Sequence, residues 1–129
     1  MAGDRDWSDE ERDLLALVTS GLTVVVNVRT GRDAPHPRLA PHLKDAGLLV
    51  YIGRRNRGGW PQSRWANPFR IGSDDERARM VEQYDAWLHA PEQADLLAVV
   101  PTLKGKALGC WCAPKPCHGD VLRALADAS

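Results

Sequence analysis

Three short apolar runs set the narrowest limit on how this chain can fold. Leu22 to Val28 reads LTVVVNV, Leu48 to Ile52 reads LLVYI, and Lys106 to Cys112 reads KALGCWC. None shows the polar–apolar alternation of a strand with one wet face, so each predicts a strand covered on both faces. Helical patterns lie between them. Ser8-Asp-Glu-Glu11 is a capping box that opens a stripe of Leu14, Leu15, Leu17 and Val18, with Gly21 as its stop. Ser73 to Glu76 has the same form and predicts a helix to about Ala90, with Met80, Val81, Tyr84, Trp87 and Leu88 on its apolar face. Pro91 suits the first turn of a further helix. A last helix begins at Cys117 or His118, with Val121, Leu122 and Leu125 facing inward. Thr30 to Pro41, with Gly31 and three prolines, predicts irregular chain, and His42 to Ala46 a single helical turn. The alternation defines an α/β fold: a single compact domain with a short, mostly parallel sheet flanked by helices on both faces. Residues 1–22 read as an N-terminal helical extension packed on the domain, and 23–129 as the domain itself.

Composition narrows the function classes. Seventeen Lys and Arg balance seventeen Asp and Glu, so any anion-binding surface must be local. No apolar run approaches the roughly 20 residues that cross a bilayer, which argues against a membrane partner. The acidic start MAGDRDWSDEERD lacks the apolar core of a signal peptide. Three cysteines within eight residues make no disulfide framework, and the expected compartment is the reducing cytoplasm.

A parallel sheet gathers the segments that follow its strands at one edge, where ligands of such folds bind. Asn27 to Arg32, Gly53 to Arg70 and Cys110 to Asp120 are those segments. The last, GCWCAPKPCHGD, holds every thiol of the chain. If the strand runs to Cys112, Cys110 and Cys112 point to one side and Trp111 to the other. Cys117 and His118 then fall at a helix start, where unpaired amides and the dipole favour a thiolate. Three readings stand side by side. In one, Cys117 is an activated thiol, His118 its acid/base partner, Asp120 the orienter of the imidazole, Cys112 an accessory thiol, and Gly119 leaves room for a ligand. In the second, Cys110, Cys112, Cys117 and His118 are the four ligands of a zinc ion, although the spacing is not that of paired knuckles. In the third, the thiols are small core hydrophobes beside a capped turn.

The middle segment is basic and aromatic. Ala46 to Ser73 contains no Asp or Glu, and its Arg54, Arg55, Arg57, Arg64 and Arg70 are interleaved with Tyr51, Trp60, Trp65 and Phe69. Guanidinium groups bind phosphate and indoles stack on flat rings, so a nucleotide or single-stranded nucleic acid suits both. Asn27, Arg29, Gly53, Arg54, Arg55, Trp65, Asn67, Pro68, Phe69, Arg70 and Gly119 are the candidate ligand contacts. The plain alternative is a solvated arginine face with Trp60 and Trp65 as loop anchors. Asn67-Pro68-Phe69 reads as an Asx turn, or as an amide set to read a base edge. His36 and His42 read as solvated, and His89 as a cation at a helix end.

The blocks VVVNVR from Val24, YIGR from Tyr51, RWANPFRIG from Arg64 and LGCWCAPKPCHGDVL from Leu108 resemble domain of unknown function 4326, a family of small bacterial and phage proteins. The likeness runs over roughly residues 23 to 127, and the GRRNRGGWPQ stretch looks expanded against the family pattern. The Cys-His block has a weaker likeness to domain of unknown function 488, whose Cys-His-Arg is Cys-His-Gly here, so an anion-binding role at residue 119 does not carry over. The resemblance implies one α/β domain and no established activity. The residues themselves lead to an expectation of a nucleotide- or nucleic-acid-base-handling enzyme, a transferase or hydrolase with a Cys-His site and no required cofactor. The alternative is a non-catalytic, zinc-stabilised module that binds nucleic acid or protein.

Overall fold

The computed structural model describes residues 7–56, 58–69 and 73–129. Its sheet has three strands, β1 (Val24–Asn27), β2 (Leu49–Tyr51) and β3 (Ala107–Cys110), in the order β1-β3-β2 and all parallel. Val24, Ala107 and Leu49 form one row across the sheet, and Val25, Leu108 and Val50 the next. Successive rows face opposite sides. The first packs under α1 (Asp9–Thr19) and α2 (Leu39–Asp45), with Val18, Leu39 and Leu43. The second packs under α3 (Arg77–Leu88), the short α4 (Ala94–Ala98) and α5 (His118–Asp127), with Tyr84, Leu88 and Leu122. The expected α/β sandwich with helices on both faces is the one observed.

Glu11 ties two of these helices together. It completes the capping box of α1 with Ser8, each side chain pairing with the other's amide at 3.0 Å. Its second carboxylate oxygen accepts from the amides of Arg38 and Leu39, at 2.8 and 2.7 Å, and so caps α2 as well. Those donors explain why a charged side chain is only 1% exposed. Burial pushes its carboxyl up, but the amides of Ser8, Leu39 and Arg38 outweigh that and hold it below its ordinary value.

Four local expectations are corrected. First, Leu39 to Pro41 is helical; Pro41 lies in the first turn of α2, where a missing N–H is tolerated. Second, Ser73 makes no side-chain cap. The chain tightens into a 3₁₀ turn, Asp74–Glu76, in which the Glu76 amide bonds the Ser73 carbonyl. Third, His36 is not solvated: it is 1% exposed, and its Nδ1 accepts from the Asn27 amide at 2.8 Å. Fourth, β3 stops at Cys110, two residues short of its expected end.

Replacing Glu11 by Gln removes the charge that caps two helices. The expected loss of stability is roughly 3 kcal/mol, from weakened charge-assisted hydrogen bonds and imperfectly paired amides. Because the folded-state carboxyl lies below its ordinary value, its contribution is complete above about pH 4.5 and disappears as pH falls through the lowered value. Urea unfolding of the wild type and Glu11→Gln at pH 3 to 7 checks this; the two curves should converge at the acid end.

Candidate functional site

Beyond the carboxyl ends of β2 and β3 lies a cavity of about 680 Å³. Gly53, Arg54, Arg55, Asn56 and Gly58 line it from the loop after β2, Asn67 and Phe69 from the end of that loop, and Met80 from α3. Cys110, Trp111 and Cys112 come from the end of β3, and His118 from the start of α5. The parallel register thus brings two of the three expected segments to one place. The third stays out: Asn27 and Arg29 do not line this cavity.

Asn27 has a different task. Its side-chain amide donates to the carbonyls of Trp111 and Ala113, at 3.1 and 2.8 Å, and its oxygen accepts from the Arg29 amide at 2.8 Å. It latches the cysteine loop to the end of β1. Arg29 donates to the Asp33 carbonyl and lines a separate groove with Lys44 and Trp60.

The thiols do not sit as a strand through Cys112 would set them. Cys110 and Cys117 are both buried, with sulfurs 3.6 Å apart. The hydrogen bond with Cys110 and burial push the Cys117 thiol up, against the expectation of a favoured thiolate at a helix start. The helix amides are present, but the apolar surroundings outweigh them. Asp120 does not orient His118; its carboxylate accepts from the Cys117 amide at 3.0 Å and caps α5. Gly119 faces the sheet and not a ligand: a Cβ there would lie 3.0 Å from both Ile52 Cδ1 and Val25 Cγ1, so it sets how closely α5 approaches the strands. Cys112 alone of the three thiols is partly exposed. Among the described residues, no group of three or more His, Cys, Asp or Glu is arranged to hold a metal ion. Of the four residues read as zinc ligands, His118 has Nε2 committed to the Ile52 carbonyl, and Cys110 and Cys117 are turned to each other in the core.

His118 lines the cavity and is only 7% exposed. Its Nε2 lies 2.8 Å from the Ile52 carbonyl, which can only accept, so Nε2 carries the proton. Burial is the main reason its pKa lies below the ordinary histidine value, and the Arg54 charge adds to it. The neutral ring then leaves Nδ1 as a free acceptor, with no partner among the described residues. Asn67 forms the expected Asx turn, its oxygen accepting from the Phe69 amide at 2.9 Å. Its NH₂ group has no partner among the described residues, although the residue is only 8% exposed. Arg54 clamps this turn, donating from Nε and Nη2 to the Asn67 carbonyl at 3.0 and 2.6 Å. Arg55 is exposed at the rim and Pro68 is exposed beside it, while Arg70 lies outside the described residues.

The aromatic assignments exchange places. Trp65 is 3% exposed within the core and anchors the loop, its carbonyl accepting from the Tyr84 hydroxyl at 2.8 Å. Trp60 stacks on Tyr51. The exposed ring is Trp111, 40% accessible at the cavity wall, with its indole N–H donating to the Tyr51 hydroxyl at 2.8 Å. Sequence reasoning turned Trp111 away from the thiols because it carried the strand two residues too far. Asn56 and Met80 also line the cavity without having been singled out as ligand contacts; the absence of acidic residues throughout the loop was the signal that covered Asn56.

The fold and cavity define an α/β domain with a candidate ligand site at the carboxyl edge of a parallel sheet. The chain matches the family described as "Domain of unknown function (DUF4326)" over residues 40–128, and it belongs to that family. The match begins after β1, so Val24 to Arg29, included in the resemblance drawn from the sequence, lie outside it. A protein of Acanthamoeba polyphaga mimivirus, "Uncharacterized protein R718", is 39% identical over 87 residues, 59% of this chain. The chain spans 65% of the length of that relative. No solved structure matches.

The imidazole of His118 should titrate below about 6.5 and carry its proton on Nε2 when neutral; nitrogen-detected NMR of the ring checks both. Because the unfolded state binds this proton more readily, stability should fall as pH drops below about 6.5. His118→Gln should lack that component. A ring titrating at or above the ordinary value would contradict the assignment.

Proposed function

We propose that this domain handles a nucleotide or a nucleic-acid base in the cavity between Arg55, Asn67, Trp111 and His118. One observation carries the reading: a single cavity collects an accessible indole, cationic groups at its rim, and two side chains, His118 and Asn67, that each keep one hydrogen-bonding group with no partner among the described residues. The Trp111 face stacks on a flat ring. The Asn67 NH₂ donates to an acceptor on the ring edge, and His118 Nδ1 takes a hydrogen bond from a donor beside it or acts as a base. Arg55 and the Nη1 of Arg54, which has no partner among the described residues, meet phosphate. The volume, about 680 Å³, is within the range of small-molecule sites.

Binding of AMP, GMP, CMP and UMP, measured at 20 and 200 mM salt, tests the reading. At least one should bind, more weakly at the higher salt. Trp111→Ala should weaken it by about tenfold or more, the equivalent of one lost stacking contact. Arg55→Ala should weaken it several-fold at low salt and remove part of the salt dependence. No binding by any of the four at low salt, or binding indifferent to Trp111→Ala, would refute it.

A further inference from the structure

We propose that the groove of Arg29, Lys44 and Trp60 carries the backbone of a single-stranded nucleic acid, one base of which enters the cavity; the base in the cavity rests on the reading above, the groove does not. The groove encloses about 270 Å³. Arg29 lines it from the segment after β1, Lys44 from α2, and Gly58 and Trp60 from the loop after β2. Gly58 lines the cavity as well, so the two hollows adjoin. Contacts run unbroken from one to the other. The Trp111 indole N–H, at the cavity wall, donates to the Tyr51 hydroxyl at 2.8 Å. The Tyr51 ring stacks on Trp60, with centroids 4.7 Å apart. The Lys44 ammonium lies 5.0 Å from the centre of the Trp60 ring. This row leads from the buried hydrogen-bonding groups of the cavity to the cations of the groove.

Charge restricts the occupant. The chain is neutral as a whole, yet neither hollow has an Asp or Glu in its lining. Arg29 and Lys44 are both exposed, and neither forms an ion pair among the described residues. Arg29 donates from Nη2 to the Asp33 carbonyl at 2.8 Å, which steadies the guanidinium without neutralising it. With Arg54 and Arg55 on the cavity side, the cations are spread over both hollows. One mononucleotide phosphate answers only part of that spread, whereas a chain of phosphates answers all of it. The cavity then selects among polyanions. His118 Nδ1 and the Asn67 NH₂ belong to side chains more than nine-tenths buried, so only a base edge freed from pairing and stacking reaches them. A duplex keeps those edges inside its stack, and an acidic peptide has no flat ring for Trp111. A single strand supplies both the charged backbone and the free base.

Fluorescence anisotropy of the full chain with a labelled single-stranded octanucleotide of mixed sequence, as DNA and as RNA, tests the groove against the four mononucleotides. At 20 mM salt one form of the octamer should bind at least about tenfold tighter than the best mononucleotide, and its affinity should fall more steeply with salt. Arg29→Gln and Lys44→Gln should each weaken the octamer several-fold and flatten its logarithmic salt dependence by about 0.7, the share of one phosphate. Lys44→Glu should weaken it further. Both side chains are exposed, so urea unfolding should find these variants as stable as the wild type. Octamers no tighter than a mononucleotide, or indifferent to both Gln variants, would overturn the groove and leave the cavity reading standing. Octamer binding that needs Arg29 and Lys44 but ignores Trp111→Ala would uphold the groove and refute the base in the cavity. Equal binding of the duplex of the same sequence, or of an octaglutamate peptide, would overturn the single strand as occupant.

Discussion

The parallel register of three strands, with β3 in the middle, is the constraint on which the rest depends. Because β1 and β2 both run alongside β3, the chain leaves β2 and β3 at the same edge and must return by helices laid over the two faces. The cysteine loop and the basic loop therefore meet without any long-range motif to bring them together. Asn27 then fixes the cysteine loop with two hydrogen bonds, and Arg54 fixes the Asn67 turn with two to one carbonyl. The cavity is what remains between two loops, each held by a side chain that was itself a candidate ligand contact. Asn27 stands wholly outside the cavity, and Arg54 keeps only part of its guanidinium for it.

Much of the fold was legible because burial on both faces leaves a simple mark. Runs such as VVV and LLV cannot face water, and two-sided burial in a short strand calls for helices above and below. The capping box at Ser8 was equally readable, being a contact between residues three apart. What could not be read was its second role. The Glu11 carboxylate also caps α2 across 27 residues, and no local pattern announces that pairing. The same contact let a helix begin at Leu39 in a stretch whose prolines argued for irregular chain. At Ser73 the failure ran the other way: the capping sequence was present, but Asp74 is drawn to Arg77 and Lys115 and the turn closes as 3₁₀.

The site was legible in its segments and not in its roles. Compositional bias found the Arg54–Phe69 loop, and clustering found the thiols. Yet one end point, the close of β3 at Cys110, decides which side chains face the cavity. It turns Trp111 and Cys112 to the wall, leaves Cys110 against Cys117, and makes Cys117 a core residue whose hydrogen bond with Cys110 and burial together defeat the helix dipole. Sequence spacing could place Cys117 at a helix start; only packing against Tyr84, Leu108 and Leu122 shows that the place is dry. Trp65 was misjudged for a related reason. An indole in a basic loop reads as a stacking surface until the core beneath the loop is known to need it.

The account's central claim is that one cavity at the carboxyl edge of the sheet joins the loop after β2, the end of β3 and the first turn of α5 around a ligand. Amide chemical-shift mapping during titration with whichever mononucleotide binds is its most direct test. The account predicts shifts concentrated at residues 53–56, 67–69, 110–112 and 118 together, saturating with one dissociation constant. Shifts confined to the groove of Arg29, Lys44 and Trp60, or to only one of the four segments, would contradict it.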